Sequence, residues 1–480
     1  MKSAHAFCFS ILFAALATAS PRGEAQEGNF DPSWNGNGRR LVDLSSEMDV
    51  LTSMRMMPDN KVMVVGLCGT PSVNESTWPC IARLQSNGVL DASFGLAGTG
   101  MLQLNELAGT PPTSAAILPD SDAALWMVGT SAEPLRRVSI SRLATDGNAV
   151  FGSLLFNFNN VPNSPYSLPE GAAAAGENAI LVAGLAKRDN AGNRGIAVAR
   201  LRVDAGGVIA LDPSFGTNGV RAISFGIGVN GVHVLDDGRI LLAGRLNDNG
   251  APVNGKATGF VMRLLANGTI DDTFGTAAGH TQLPLCAGAW GGYPAAIAID
   301  AQGRIATAYS ARYRTPDLTE LDSEICVNRL LPDGQQDGSF GGVEVPGGTG
   351  RPVRVNIGGS QFLDSIAVGA DNKIIVGGSN VGVGSRCATH CFMVARLNEF
   401  PRDGAVLDPS FGLAGAGVSQ FDGGDDWSSA SAIVIGNGGL MIAGSSQHVL
   451  SEPFTSATFG IAKVQLGRAA FDSIFADEFE

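Results

Sequence analysis

The closest approach to a metal-binding motif in this sequence is the segment Cys387-Ala-Thr-His390-Cys391. Structural zinc sites take four ligands, usually from two cysteine or histidine pairs at short spacing. No second pair stands at such a spacing elsewhere in the chain. The sequence therefore predicts no metal ligands.

Calcium would need several oxygen ligands converging on one point. The turn Asp236-Asp237-Gly238 and the acidic group Asp422, Asp425 and Asp426 could supply carboxylates. Asp and Asn are also ordinary turn residues, and they need no ion there. No cofactor is therefore expected, and calcium remains an alternative.

Catalytic motifs are absent from the sequence. The histidines that follow the first twenty residues are scattered, and none lies in a metalloprotease or hydrolase phrase; they are His233, His280, His390 and His448. The sequence therefore predicts no catalytic residues.

The first nineteen residues have the pattern of a secretory signal peptide. Lys2 precedes an apolar run that ends at Ala17, Thr18 and Ala19, and cleavage is expected between residues 19 and 26. No later apolar run reaches the roughly 18 residues that a transmembrane helix needs. The chain is expected to be secreted, periplasmic or on the cell surface. Its net charge of -13 argues against nucleic acid as a partner.

One phrase, which we call the anchor, recurs through the chain: an Asp, two further residues, an aromatic residue and usually Gly. It begins at Asp31, Asp91, Asp212, Asp271, Asp337 and Asp408. A seventh copy at 148–152 keeps Phe151-Gly152 but lacks the Asp. An Arg-Leu pair precedes most anchors and recurs at the same period. We therefore expect the anchor Asp and this Arg to have a structural role, buried or half-buried and bonded to the backbone or to each other.

Between anchors the chain offers four short β-type stretches and no sustained helical period. Four strands repeated seven times predict an all-β fold, a β-propeller of seven four-stranded blades spanning residues 28–466, with a β-solenoid as the alternative. The blades are expected to start at the anchors, near residues 28, 91, 151, 212, 271, 337 and 408. Residues 467–480 form an acidic and aromatic C-terminal tail.

The anchor, the apolar strand after an Asp-Gly turn (Asp237-Gly-Arg-Ile-Leu-Leu-Ala-Gly244) and the Arg-Leu pair together resemble the delta-60 repeat family of exported bacterial proteins. The resemblance covers nearly all of residues 28–466. It implies a propeller-like fold and supplies no catalytic residues.

Six cysteines remain after the predicted signal peptide, an even number that predicts disulfides in an exported chain. Their positions on the predicted strands pair Cys68 with Cys80, Cys286 with Cys326 and Cys387 with Cys391, each pair within one blade. The second pair is the least direct, because its cysteines are assigned to opposite edges of a blade.

The irregular loops would carry any binding site, because loops on a regular scaffold vary freely. The candidate binding residues are Trp290, Tyr293, Asp425, Asp426 and Trp427. The sequence favours a non-catalytic binding or envelope-associated module, with a glycan, a peptide or an envelope component as partner. The alternative is a hydrolase or lyase with its site at the mouth of the propeller channel, which would need two carboxylates, or a His and a carboxylate, close together.

Overall fold

The computed structural model of the chain describes residues 27–45, 48–69, 78–104, 115–119, 124–131, 137–158, 167–187, 194–246, 257–276, 278–314, 321–341, 351–381, 390–402, 405–412, 418–421, 427–436, 439–451 and 454–466. The predicted signal peptide and the C-terminal tail lie outside these residues.

Seven antiparallel sheets, numbered here as blades 1 to 7, form a closed ring in the described part of the chain, which confirms the predicted propeller. Each blade has an inner, a second, a third and an outer strand. Blade 1 contains β2 (Met48–Met56), β3 (Val62–Gly69), β4 (Trp78–Leu84) and β5 (Met101–Gln103); blade 2 contains β6 (Ala115–Pro119), β7 (Ala124–Thr130), β8 (Val138–Ala144) and β9 (Val150–Phe156). Blade 3 contains β10 (Ser167–Ala174), β11 (Ala179–Lys187), β12 (Arg194–Val203), the short β13 (Ile209–Leu211) and β14 (Val220–Ile223); blade 4 contains β15 (Gly228–Val234), β16 (Ile240–Arg245), β17 (Ala257–Leu264) and β18 (His280–Pro284).

The remaining blades continue the pattern. Blade 5 contains β19 (Gly291–Ile299), β20 (Ile305–Arg314), β21 (Leu321–Leu330) and β22 (Val353–Val355); blade 6 contains β23 (Ser360–Val368), β24 (Ile374–Val381), β25 (His390–Arg402), the short β26 (Ala405–Leu407) and β27 (Val418–Phe421). Blade 7 contains β28 (Trp427–Gly436), β29 (Gly439–Ser451), β30 (Phe454–Gln465) and, as its outer strand, β1 (Arg39–Val42). The one helix among the described residues is a single 3-10 turn, Leu96–Gly98.

The hydrophobic core lies between blades, because alternate residues of a strand face opposite sides of its sheet. In β3, Val62 and Val64 pack towards blade 7, whereas Met63 and Val65 pack towards blade 2. The inner strands contact one another in order around the ring and surround its central channel. A blade therefore buries both faces only when its two neighbours are present.

The blades are offset from the sequence repeat by one strand, so the predicted blade starts were wrong. The strand after each anchor is the outer strand of the preceding blade: β5, which follows the anchor at Asp91, pairs with β4. By the same offset β1, which follows the anchor at Asp31, pairs with β30 and closes the ring between the two ends of the repeat region. Anchors and inner-to-second-strand turns lie on one face, the anchor face. The other connections lie on the opposite face, the mouth face.

Two of the predicted disulfide pairs are joined in the structure. Cys68 and Cys80 lie within blade 1, with Cα atoms 5.9 Å apart, as expected. Cys286 follows the outer strand of blade 4 and is bonded to Cys326 in the third strand of blade 5, with Cα atoms 6.0 Å apart. The prediction that this bridge lies within one blade was wrong, because the offset places its cysteines on neighbouring blades. Cys391 is also disulfide-bonded, while Cys387 lies outside the described residues.

Candidate functional site

The recurring anchor Asp and the Arg before it form ion pairs on the anchor face, as predicted. The Arg Nε donates to the Asp Oδ2 in five repeats: Arg83 to Asp91, Arg263 to Asp271, Arg329 to Asp337 and Arg396 to Asp408 at 2.7 Å, and Arg200 to Asp212 at 2.9 Å. In the seventh blade Lys463 takes the place of Arg and lies 2.8 Å from Asp31. Groups used in this way in repeat after repeat have a structural role.

The pair Arg263–Asp271 shows how an anchor also joins two blades. The guanidinium of Arg263 donates to the carbonyl of Pro332 in blade 5 at 2.8 Å and lies 4.6 Å from the ring centroid of Phe274. The Oδ1 of Asp271 accepts hydrogen bonds from the backbone and the hydroxyl of Thr273. Burial alone would raise the pKa of Asp271, but these bonds and the Arg263 charge outweigh it and lower the pKa.

The segment 148–152 is not a seventh anchor, contrary to the sequence interpretation. Phe151 lies in the outer strand β9 and is 51% exposed, whereas the anchor phenylalanines are buried. Arg142, which precedes this segment, donates to Asn178 Oδ1 of blade 3 at 2.6 Å.

Six inner strands share an irregular position in their backbone pairing, and these positions form a ring around the central channel. A β-bulge interrupts the pairing of six inner strands with their second strands at this position, and bulges commonly re-aim a side chain. The bulged residues are Thr52, Glu170, Asn230, Ala295, Asp364 and Ser431.

The two acidic residues of this ring have different surroundings. Glu170 accepts a hydrogen bond from the backbone of Val229 at 2.8 Å and forms an ion pair with Arg245, both in blade 4. Asp364 has no hydrogen bond or ion pair with any described residue, although its side chain is exposed to solvent in the channel. Enclosure by the surrounding protein raises the pKa of Asp364 to about 7.

Aromatic side chains mark the mouth-face end of the channel on neighbouring blades. Trp290 immediately precedes the inner strand of blade 5 and is 37% exposed. Phe362, near the start of the inner strand of blade 6, is 46% exposed and lies two residues before Asp364. Leu363 between them is buried in the core shared with blade 5.

The predicted binding residues are thus placed only in part. The backbones of Tyr293 and Trp427 lie near the starts of the inner strands of blades 5 and 7, so both positions belong to the mouth-face end. Asp425 and Asp426 lie outside the described residues. Sequence reasoning missed Phe362 and Asp364; the available signal was the pattern Gln361-Phe-Leu-Asp364, in which a charge falls inside an otherwise apolar strand.

Asp237 and Asp49 could each suggest a metal site, but their carboxylates accept hydrogen bonds from neighbouring protein groups. The carboxylate of Asp237, from the calcium alternative, accepts bonds from the backbone and the guanidinium of Arg239 at 3.0 and 2.6 Å. Asp49 lies within 4.8 Å of the sulfurs of Cys68 and Cys80, which are bonded to each other. Burial raises the pKa of Asp49 to about 6, against hydrogen bonds from Ser45 and Leu44. Through the hydrogen bonds from Leu44 and Ser45, the carboxylate of Asp49 stabilises the loop before β2.

Two segments of the chain, residues 58–94 and 235–274, match the family model described as Domain of unknown function (DUF5122) beta-propeller. Each segment runs from an inner-to-second-strand turn to the next anchor. The chain is a β-propeller repeat protein. No curated protein matches it. No helix among the described residues is long and apolar enough to cross a membrane.

Similar solved structures have very different sequences. The neuraminidase-like protein of A/flat-faced bat/Peru/033/2010 (H18N11) is 8% identical with a TM-score of 0.39, over 91% of this chain and 97% of that one. An α-L-arabinofuranosidase of Fusarium graminearum is 11% identical with a TM-score of 0.38, over 73% and 92%. Virginiamycin B lyase from Staphylococcus aureus is 10% identical with a TM-score of 0.34, over 89% and 99%. At this similarity the comparisons concern the fold alone.

Proposed function

We propose that this protein is an exported, non-catalytic propeller of the delta-60 repeat type that binds a ligand at the mouth-face end of its channel. The single observation that carries the proposal is Phe362, an aromatic side chain 46% exposed on an innermost strand. Large apolar side chains on such a strand normally pack between blades. An exposed one offers a surface on which the ring or chain of a glycan or peptide can lie.

The contrast between the two faces supports this location. On the anchor face the charged and aromatic residues of successive repeats are bonded to one another, as in Arg329, Asp337 and Phe340. On the mouth face Trp290 and Phe362 are exposed on adjacent blades. The disulfides Cys68–Cys80 and Cys286–Cys326 fasten connections on that face and are compatible with an extracellular protein.

The hydrolase or lyase alternative requires two groups that can exchange protons with one substrate. Among the described channel residues the carboxylates are Glu170 in blade 3 and Asp364 in blade 6, and Glu170 is bonded to Arg245. This arrangement favours binding over acid–base catalysis.

The test is a glycan and peptide array probed with the protein lacking residues 1–19, with and without calcium. We expect binding that falls at least tenfold in Trp290→Ala and Phe362→Ala and is unchanged in Leu265→Ala, a control that removes a 40% exposed apolar side chain from the anchor face. Thermal unfolding of each variant checks that the fold is intact. Equal binding by all three variants would contradict the proposed site, and turnover of a bound glycan or peptide would contradict a non-catalytic role.

A further inference from the structure

Blade 5 carries a polar pair inside its sheet. Thr307 of β20 and Asn328 of β21 are directly opposite in the strand pairing, so their side chains lie on the same face. Both residues are 1% exposed. The hydroxyl of Thr307 and both amide atoms of Asn328 are buried, and none of them makes a hydrogen bond with a group in the described part of the chain. Buried polar atoms without a partner are costly, so the fold is stabilised by any group that bonds to them.

The residues on either side of the pair show which way it faces. Ile305 and Leu330, next to the pair on the same face, belong to an apolar cluster shared with blade 4. On the other side of the pair, Cys326 is joined to Cys286, which follows the outer strand of blade 4. Residues of the opposite face pack towards blade 6. The pair therefore lies within the junction of blades 4 and 5, between an apolar cluster and a disulfide.

This polar pair belongs to blade 5 and not to the repeat. In five other blades both equivalent residues are apolar, and blade 2 has one Met and one Ser: Val64 and Ala82, Met127 and Ser141, Val182 and Ala199, Leu242 and Met262, Val376 and Ala395, and Ile442 and Ala462. Tyr309, on the same face as the pair, also replaces a residue that is Gly in the other six blades. The propeller fold therefore does not require polar side chains here.

The hydroxyl of Tyr309 is already bonded to blade 4. It donates to the carbonyl of Pro284 at 2.8 Å and accepts from the backbone N–H of Cys286 at 2.9 Å. Burial raises the pKa of Tyr309, and the nearby Asn328 amide offsets part of this effect without reaching normal hydrogen-bond geometry. Because a phenol has one proton, Tyr309 cannot also donate to Thr307 or Asn328.

We propose that a buried water molecule binds in the junction of blades 4 and 5, held by Thr307 and Asn328. The water accepts from the Thr307 hydroxyl and bonds to the Asn328 amide, and the Tyr309 oxygen can accept a further hydrogen bond from it. Internal waters typically make about three hydrogen bonds to buried polar groups that lack other partners. The polar atoms of the pair are closed to solvent, which favours water over any larger ligand. This site is independent of the ligand proposed for the mouth face.

A high-resolution crystal structure of the protein lacking residues 1–19 tests the site directly. We expect a water oxygen about 2.7–3.2 Å from Thr307 Oγ1 and at the same distance from an amide atom of Asn328. A direct hydrogen bond between the two side chains, or no water between them, would overturn the inference. This experiment uses the unaltered residues, so it decides the question even if a variant fails to fold.

Oxygen-17 magnetic relaxation dispersion tests the same site in solution, because it counts water molecules that are held for a long time inside a protein. The double variant Thr307→Val/Asn328→Leu should hold one such water fewer than the parent. The control is Thr281→Val, which removes a buried hydroxyl of the same junction that donates to the carbonyl of Gly334 at 2.6 Å. The control should hold as many waters as the parent, and an unchanged count in the double variant would contradict the site.

Urea unfolding shows whether the two side chains act through a shared partner. Thr307→Val and Asn328→Leu should each raise the unfolding equilibrium constant about five- to hundredfold, because each leaves the other polar group buried without a complete set of bonds. The double variant should raise it by less than the product of the two single effects, because both polar groups leave together. Effects that multiply exactly would show that no molecule links Thr307 to Asn328.

Discussion

The junction between blades 5 and 6 and the junction between blades 2 and 3 fasten neighbouring blades differently. In the first, Arg329 donates to Asp337 at 2.7 Å and to the carbonyl of Glu399 in blade 6 at 2.7 Å, and it lies 4.7 Å from the Phe340 ring centroid. In the second, no anchor exists, and Arg142 donates to the neutral amide of Asn178 at 2.6 Å. The first junction has a buried ion pair, whereas at the second Arg142 donates to an amide oxygen and lies 5.7 Å from the ring centroid of Trp126.

The anchor also determines how tightly the next blade packs. Gly268, in the turn after β17, has positive φ, and a Cβ added there would lie 2.8 Å from the Phe215 ring. Gly207, in the equivalent turn of blade 3, also has positive φ, but an added Cβ would meet nothing within 4 Å. In blade 2, where the anchor is missing, the outer strand is longer instead. This strand, β9, has seven residues, whereas the outer strand of blade 5, β22, has three. The anchor is thus one of two ways to hold a blade, and the propeller tolerates the loss of one copy.

The largest difference between the junctions is expected on removal of the Arg. Arg329→Ala should lower the free energy of unfolding by about 3–5 kcal/mol, because Asp337 remains buried without its partner. Arg142→Ala should cost about 1.5–3 kcal/mol, the usual value of a hydrogen bond that involves a charged group. Urea unfolding measures both, with exposed Arg351→Ala as the control. Equal losses at 329 and 142 would show that the ion pair is not what distinguishes the junctions.

The glycine turns allow a matched test of packing. Ala at 207 and Ala at 268 both incur about 1–2 kcal/mol of backbone strain at positive φ. Gly268→Ala should cost about 1–3 kcal/mol more, because its methyl group collides with Phe215. Thermal unfolding of the two single variants gives the difference directly. A cost at 207 as large as that at 268 would contradict the open space seen beside Gly207.

The anchor carboxylates predict an acid-sensitive contribution to the stability of the fold. Burial alone would raise the pKa of Asp408, but hydrogen bonds from Lys373 and Ser410 and the charge of Arg396 lower it to about 2. Because the folded pKa lies below the unfolded value, Asp408 stabilises the fold above pH 4 and loses that effect between pH 4 and pH 2. The contribution is about 2 kcal/mol.

The measurement is the difference in unfolding free energy between the parent and Asp408→Asn from pH 7 to pH 2. We expect this difference to shrink below pH 4. The control is Asn178→Ala, whose difference from the parent should stay constant over the same range because the Asn178 amide does not titrate. A constant difference for Asp408→Asn would contradict the lowered pKa.

The smallest effect is expected at Phe151. Its side chain is 51% exposed on an outer strand, so Phe151→Ser should change the free energy of unfolding by no more than about 0.5 kcal/mol. If this residue were a buried anchor phenylalanine, the loss would be about 3–5 kcal/mol. Urea unfolding beside the parent distinguishes the two.

The repeat could be read from the sequence because its signals are periodic and local. Each anchor places Asp, Phe and Gly at fixed spacing, and each Arg-Leu pair precedes it by a short interval, so the buried Arg263–Asp271 pair and the seven-bladed fold were predictable. The bridge Cys68–Cys80 was predictable for the same reason, since both cysteines lie on strands joined by one connection.

The tertiary structure alone decided which strands share a sheet. A short strand carries no mark of its hydrogen-bonding partner, so the strand after each anchor was assigned to the wrong blade, and Cys286–Cys326 was expected within one blade rather than between two. The same reason separates Glu170 from Asp364. Both are acids at the bulge of an inner strand, and only the position of Arg245 on the neighbouring blade leaves one bonded and the other accessible.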